Sequence, residues 1–244
     1  MRRKLPIIII IGVLIVALAG GALLMRPSET TTRPNLAQMP PTTTAPTATA
    51  SPNPQATVVP RPAAASNIAP ITHLRGRNDA PLLIEEYGDF QCPPCGSLHP
   101  ILKRIEGEYA TQVRVAFHHF PLREMHKNAG EAARAAEAAA VQGKFWQMHD
   151  MLFEKQSEWK DAAPARPLFL GYARTLGLDL PKFTQDIDST TVSNRVMTDE
   201  QGGTARGVTG TPTVFLNGRE VPFAIATSYD KLRAVIESEL AVKK

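Results

Sequence analysis

The chain has 244 residues and a formal net charge of +4, and 43% of its residues are hydrophobic. This size allows one or two domains with a real core. The charge is unevenly placed, because residues 1–70 hold six Lys and Arg and one acidic residue, leaving 21 basic and 22 acidic residues in the rest. A nearly neutral remainder argues against a nucleic-acid-binding protein.

The N-terminal segment predicts a membrane anchor. Residues 1–4 are basic, and residues 7–25 form an apolar run without a charge. Such a run has about the 20 residues of a membrane-spanning helix, and a basic flank stays in the cytoplasm. We therefore expect residues 1–25 to cross the membrane once and the rest to lie outside the cytoplasm. The alternative is secretion after signal cleavage, since Ala17-Leu18-Ala19 and Gly20 fit a cleavage site.

Residues 26–70 are rich in Pro, Thr and Ala and contain few large apolar side chains. Such a segment cannot bury enough surface to offset the entropy lost on ordering. We predict a disordered linker, semi-rigid where proline is dense, that holds a folded domain of residues 71–244 away from the bilayer.

The folded domain begins with a predicted strand at 82–87, a helix ending near Tyr109 and a strand at 113–117 with alternating valines and phenylalanine. A strand, a helix and a strand in this order predict parallel pairing through a right-handed crossover. The stretch from about 123 to 206 contains helical signals and no convincing strand. We therefore expect a helical insertion there.

The C-terminal part predicts a hairpin and a helix. Asn217-Gly218 separates two apolar runs, 213–216 and 220–223, which is the strongest short-range hairpin signal. An amphipathic helix at about 229–242 follows. The fold class predicted from these elements is α/β, with a four-stranded mixed sheet flanked by helices and interrupted by the helical insertion.

Cys92 and Cys95 are the only cysteines, and Pro93-Pro94 separates them. Proline suits the first turn of a helix, so Cys92 is predicted at a helix N-terminus, where the helix dipole favours a thiolate. We expect its sulfur to face solvent as the nucleophile and Cys95, one turn further, to be a shielded resolving thiol. A structural disulfide is the weaker alternative, because it would close almost no loop.

A zinc site is a second alternative for the cysteines. Cys92, Cys95, His99 and either His118 or His119 would supply four ligands. The chain has no second cysteine pair, and two prolines between the ligands fit a redox turn better. We therefore expect no metal and no organic cofactor. The histidines are predicted to be packing or surface residues, namely His99, His118, His119, His126 and His149.

Four motifs in order make residues 75–242 resemble the DsbA-like thiol-disulfide oxidoreductases of the thioredoxin fold. These motifs are Gly-Asp-Phe-Gln-Cys-Pro-Pro-Cys at 88–95, His-Phe-Pro-Leu at 119–122, Gln-Gly-Lys-Phe-Trp at 142–146 with Met-His-Asp at 148–150, and Gly-Thr-Pro-Thr at 210–213. The resemblance departs from DsbA between the cysteines, where DsbA has Pro-His and this chain has Pro-Pro.

The resemblance implies site residues beyond the cysteines. Pro212 matches the family's cis-proline beside the disulfide, and Thr211 lends its backbone to a bound substrate strand. Glu86 matches the buried acid that moves the proton of the resolving thiol. The alternative for Glu86 is an ordinary strand-edge carboxylate, because the adjacent Glu85 points to the opposite face and the sequence leaves open which one is inward.

The predicted function is an extracytoplasmic thiol oxidase that introduces disulfides into exported proteins and is reoxidised by a membrane redox partner. A reductase or isomerase using the same cysteines is one alternative, because direction depends on reduction potential. A tethered chaperone that holds extended peptides beside Pro212 is another.

Overall fold

The structure, a computed structural model, describes residues 70–242. The predicted membrane segment and almost all of the predicted linker, residues 1–69, lie outside the described residues. None of the helices in 70–242 is long and apolar enough to cross a membrane.

The described residues form a mixed sheet with helices around it. The strands are β1 (Leu74–Arg75), β2 (Leu82–Gly88), β3 (Val113–His119), β4 (Thr213–Leu216) and β5 (Arg219–Val221). The helices are α1 (Pro93–Glu108), α2 (Ala129–Ala140), α3 (Phe145–Glu154), α4 (Gln156–Trp159), α5 (Arg166–Thr175), α6 (Leu180–Ile187), α7 (Thr190–Ala205), α8 (Phe223–Ala226) and α9 (Tyr229–Val242).

The strand order is β1-β3-β2-β4-β5. β2 and β3 are parallel, as the strand-helix-strand pattern predicted, and β4 runs antiparallel to β2. The sheet has one strand more than predicted, because β1 adds to the edge of β3 through the pairs Leu74 with Ala116 and Arg75 with Val115. A two-residue strand is too short to carry an alternating pattern, so no local signal predicts β1.

The hairpin turns where Asn217-Gly218 predicted it. Asn217 has φ 47° and Gly218 has φ 81°, which is the pair of positive values that a tight hairpin turn requires. The second strand is shorter than predicted, because β5 ends at Val221 and Phe223 opens α8. Pro222 ends the ladder because it has no N–H to donate.

Two apolar clusters cover different parts of the sheet. The first packs Leu82 and Ile84 of β2 against α1 and α9. The second lies in helices α2 to α6 and includes both cysteines and Phe90. Cys92 and Cys95 therefore lie where the sheet meets the helices that follow β3.

Candidate active site

Cys92 is the N-cap residue of α1, and the helix begins with Pro93 and Pro94. The chain reaches this position through a tight turn in which the Cys92 amide donates to the Asp89 carbonyl at 3.1 Å. The first helical hydrogen bond follows at once, from the Gly96 amide to the Cys92 carbonyl at 3.1 Å. The sulfur of Cys92 is thus held at the positive end of the helix dipole, as predicted.

The Asp89 side chain fixes the turn before Cys92. Its Oδ1 accepts the Gln91 amide at 2.7 Å, and its Oδ2 accepts the Leu122 amide at 2.9 Å. His126 Nδ1 lies 2.6 Å from the same Oδ2. Asp89 is 1% exposed, so these partners satisfy a buried carboxylate and tie the loop after β3 to the redox turn.

The two sulfurs differ in their environment. Both cysteines are free thiols here, and their exposed fractions are 4% for Cys92 and 0% for Cys95. The hydrogen bond from Cys95 lowers the pKa of Cys92 to about 6, although burial acts in the opposite direction. Burial raises the pKa of Cys95 well above its usual value. One thiol is therefore disposed to ionise and the other to keep its proton.

The expectation that the Cys92 sulfur faces solvent is wrong, because Cys92 is only 4% exposed. The loop before β4 lies over its sulfur, and the Cys92 thiol donates to the carbonyl oxygen of Thr211 at 3.4 Å. The Thr211–Pro212 peptide bond is cis, as the resemblance implied, and Pro212 is buried. Thr213 Oγ1 donates to the Gly210 carbonyl at 2.8 Å and shapes this loop.

Glu86 lies on the face of β2 that α1 covers, in line with Leu82 and Ile84. It is 2% exposed, and its Oε1 has no hydrogen-bond partner. Burial raises its pKa to about 8, and the charge of Cys92 adds to the increase. The geometry thus favours Glu86 over Glu85 as the inward acid near the cysteines, and it leaves the assigned proton-transfer role as a proposal.

Glu85 is also buried, but its carboxylate is paired. Arg206 donates to its Oε1 at 3.0 Å, and His118 Nε2 lies 3.6 Å from its Oε2. These two partners overcome the effect of burial and hold the pKa of Glu85 at about 2. The opposite face of β2 therefore carries a stable ion pair.

Sequence reasoning missed the residues that attach the helices to the redox turn. Gln156 Nε2 donates to the carbonyl oxygens of Phe90 at 2.7 Å and Cys92 at 3.0 Å. The backbone N–H of Asn128 donates to Gln91 Oε1 at 2.8 Å, and the Gln91 side chain in turn donates to the Lys160 carbonyl. No local sequence pattern marks Gln91, Asn128 or Gln156, because their hydrogen-bond partners are far away in the sequence.

The histidines pair with carboxylates or with other rings. His118 contacts Glu85 and Asp199, and His119 contacts Glu137. Among the described residues, the groups that bring metal-ligating atoms together contain neither cysteine. The structure therefore does not assemble the zinc set of cysteines and histidines. Of the five histidines predicted to be packing or surface residues, four are buried. His126 is partly exposed beside Asp89.

This fold, with a cysteine pair at a helix N-terminus beside a cis-proline, defines a thioredoxin-fold protein with the site of a DsbA-like thiol-disulfide oxidoreductase. A family model described as Thioredoxin matches residues 69–238, which is more than half of the chain. The chain belongs to the thioredoxin family.

Two solved structures agree with this assignment. The oxidised form of BdbD from Bacillus subtilis is 25% identical and superposes with a TM-score of 0.61, covering 69% of this chain and 92% of that one. Alpha-DsbA1 from Wolbachia pipientis is 20% identical with a TM-score of 0.60, covering 68% and 88%, and shows the same fold. The predicted DsbA-like thioredoxin fold is confirmed.

The curated relatives are much longer proteins. A protein named Na⁺/H⁺ antiporter NhaA 1 from Salinispora arenicola is 42% identical over 147 residues, which are 60% of this chain and 22% of that protein. The chain thus spans about a fifth of the length of this relative.

Proposed function

We propose that this protein is a membrane-anchored thiol oxidase that introduces disulfides into exported proteins outside the cytoplasm. The observation that carries the proposal is the unequal cysteine pair: the Cys92 pKa is lowered to about 6, whereas the Cys95 pKa is raised. A disulfide becomes a stronger oxidant when its reduced form is stabilised, and a stabilised Cys92 thiolate does this. Its pKa lies between about 7 in thioredoxin and about 3.5 in DsbA.

The reaction begins from the Cys92–Cys95 disulfide. A substrate thiolate attacks the Cys92 sulfur, forms a mixed disulfide and displaces Cys95 as a thiolate. A second substrate thiolate then attacks the substrate sulfur of the mixed disulfide and displaces the Cys92 thiolate. Two substrate thiols are oxidised to one disulfide, and the enzyme's disulfide is reduced to the dithiol.

Glu86 supplies or accepts the proton of Cys95 in this scheme. A carboxyl with a pKa of about 8 is mostly protonated at pH 7, so it holds a proton inside an apolar site. The high pKa of Cys95 makes that thiolate a strong base when it is displaced. Glu86 would protonate it and so prevent its return attack on the mixed disulfide.

Thr211 and Pro212 would hold the substrate strand. The Thr211 carbonyl already lies 3.4 Å from the Cys92 sulfur, so an extended peptide beside this loop would bring its cysteine to the nucleophile. Backbone hydrogen bonds to an added strand give binding that tolerates many sequences.

Residues 1–25 would anchor the chain, residues 26–70 would form the linker and residues 71–244 the catalytic domain. The apolar run after a basic start supports this arrangement, and relatives named as antiporters fit a domain that works beside a membrane. A membrane redox partner would reoxidise the dithiol by accepting two electrons. The mass of the mature protein distinguishes an anchored chain, which keeps its N-terminal segment, from a secreted chain, which has lost it by cleavage.

The decisive experiment is the redox equilibrium of the purified full chain in glutathione buffers. A reduction potential near the roughly −120 mV of DsbA supports the oxidase. A value near the roughly −270 mV of thioredoxin contradicts it and makes the protein a reductase that needs an electron supply.

The Cys92→Ala variant distinguishes the oxidase from the chaperone alternative. Loss of oxidation of a reduced, unfolded test protein supports catalysis. The chaperone alternative is favoured instead if Cys92→Ala still suppresses aggregation and the cysteines of the unmodified chain catalyse no oxidation.

A further inference from the structure

A second cluster of ionisable side chains lies away from the cysteine pair. His73 Nε2 lies 2.7 Å from Glu137 Oε1, and His119 Nε2 lies 2.8 Å from the same oxygen. The three residues come from the segment before β1, from the end of β3 and from α2. All three are buried, with exposed fractions of 8%, 0% and 5% in the order His73, His119 and Glu137. Three separate elements thus direct two imidazoles at one carboxylate.

Aromatic packing holds both imidazoles in place. The His73 ring stacks on Phe145 with ring centroids 3.4 Å apart and planes within 2°. The His119 ring meets the edges of Phe90 and Phe117 at 5.9 and 5.4 Å between centroids. Fixed ring orientations lower the entropy cost of ligand binding, because the nitrogens already point towards a common position.

The charge balance leaves Glu137 available as an anionic ligand. Arg195 Nε lies 3.9 Å from Glu137 Oε1, and the same guanidinium makes its closer contact with Asp199.

The second ring nitrogen of His119 has no competing role. Its Nδ1 is buried and has no hydrogen-bond partner, and Glu137 accepts the proton of Nε2 at 2.8 Å. An ion that replaces this hydrogen bond would bind the Nε2 lone pair, and the imidazole proton would move to Nδ1.

A cavity of about 400 Å³ reaches the cluster at His73. Phe145, Trp146 and Gly143 also line it. This space is large enough for water to reach the edge of the cluster and complete a coordination shell.

A similar cluster elsewhere lacks these properties. His99, His149 and Asp150 also bring ligand atoms together. There, however, Arg75 donates to both oxygens of Asp150 at 3.0 Å, and Lys103 donates to one of them at 2.6 Å. Two cations already occupy that carboxylate, which opposes the entry of a third positive charge.

We propose that His73, His119 and Glu137 form a binding site for a divalent transition-metal ion of the Zn²⁺ type, separate from the redox cysteines. Two imidazole nitrogens and one carboxylate oxygen are a ligand set that Zn²⁺ accepts, with water in the remaining position. The ion would replace the two hydrogen bonds to Glu137, and the ligand atoms would separate to roughly 3.3 Å, the spacing around a tetrahedral ion. Because Phe90 links His119 to the redox turn, the ion would also stabilise the helices around the cysteines.

The test is isothermal titration of Zn²⁺ into the purified full chain, without a histidine tag, after dialysis against a chelator. The Cys92–Cys95 pair is kept as the disulfide, so that its sulfurs cannot bind the ion. We expect one ion per chain with a dissociation constant below about 10 µM. Glu137→Gln, which keeps the side-chain shape, should weaken binding at least about tenfold, and so should His73→Ala.

His99→Gln is the matched control in the other cluster and should leave the affinity unchanged. Circular dichroism of each metal-free variant checks its fold, and His73→Ala, near the edge of the domain, keeps the test informative if Glu137→Gln fails to fold. Absence of binding to the disulfide form overturns the proposal. The proposal is also overturned if His73→Ala binds Zn²⁺ as tightly as the unmodified chain, or if only His99→Gln loses Zn²⁺ binding. Because the test reads metal affinity on the oxidised chain, its result is independent of the proposed oxidase function.

Discussion

The two faces of β2 carry adjacent carboxylates with opposite properties. Glu85 and Glu86 are both buried, with exposed fractions of 5% and 2%. Glu85 has Arg206 and His118 as partners and a pKa of about 2, whereas the buried Oε1 of Glu86 has no partner and its pKa is about 8. Burial alone therefore does not decide the charge of an acid, and the partners supplied by neighbouring elements do. The paired face supports the fold, and the unpaired face holds a proton beside the cysteines.

The largest expected effect comes from breaking the paired face. Arg206→Ala leaves Glu85 buried with only a more distant histidine, so the free energy of unfolding should fall by about 3–5 kcal/mol. Urea denaturation at pH 7 measures the loss. Arg233→Ala, which removes a surface partner of Glu237, is the control and should leave the midpoint unchanged. Equal midpoints in the two variants would contradict the assigned importance of the Glu85 pair.

A substitution on the unpaired face, at Glu86, should stabilise the protein rather than destabilise it. Between pH 4.5 and 8 the folded protein keeps a proton on Glu86 that the unfolded chain releases, so stability falls as the pH rises through this window. Glu86→Gln removes that dependence and should stabilise the protein by about 2–4 kcal/mol at pH 8 and by little at pH 4.5. Denaturation curves at both pH values measure the difference. A variant that is less stable than the unmodified chain at pH 8 would refute the unpaired state of Glu86.

Glu85→Gln tests the opposite pH dependence of stability on the paired face. The folded pKa of Glu85 is depressed, so its contribution is present above pH 4.5 and is lost as the pH falls towards 2. This variant should be destabilised at pH 7 and should lose less stability than the unmodified chain on acidification.

The smallest expected effect is on the titration of Cys92. The thiolate absorbance of the reduced chain near 240 nm should rise with a midpoint at about pH 6. Cys95→Ala removes the hydrogen bond that contributes most to this value, so the midpoint should move to higher pH. Glu85→Gln lies on the other face and should not move it. An unchanged midpoint in Cys95→Ala would show that the helix terminus alone sets the acidity.

Much of the fold follows from local sequence signals. The alternation in β3, the prolines after Cys92 and the Asn217-Gly218 turn each specify a local geometry, and the structure has those elements. β1 could not be predicted, since two residues depend on the edge of β3 for their conformation. The end of β5 was predicted too late, because the apolar Phe223 fits a strand pattern and a short helix equally well.

The site was predicted only where its residues are adjacent or carry a family motif. Cys92, Cys95 and the Thr211–Pro212 peptide lie where the motifs placed them. The inward position of Glu86 needed the packing of α1 against β2, since alternation gives two faces without saying which one the helix covers. The buried state of Cys92 and the contacts of Gln156 depend on segments far away in the chain, and no local pattern encodes them.

The loop over Cys92 has a consequence for the order of events in a cell, if the protein acts as the proposed oxidase. A sulfur that is 4% exposed beneath the Thr211 carbonyl admits a thiol on a thin, extended strand and excludes one on the surface of a compact client. The enzyme would therefore select by conformation, so that cysteines are joined while a client is still unfolded. Finished proteins would pass by without exchange, and oxidation would precede folding.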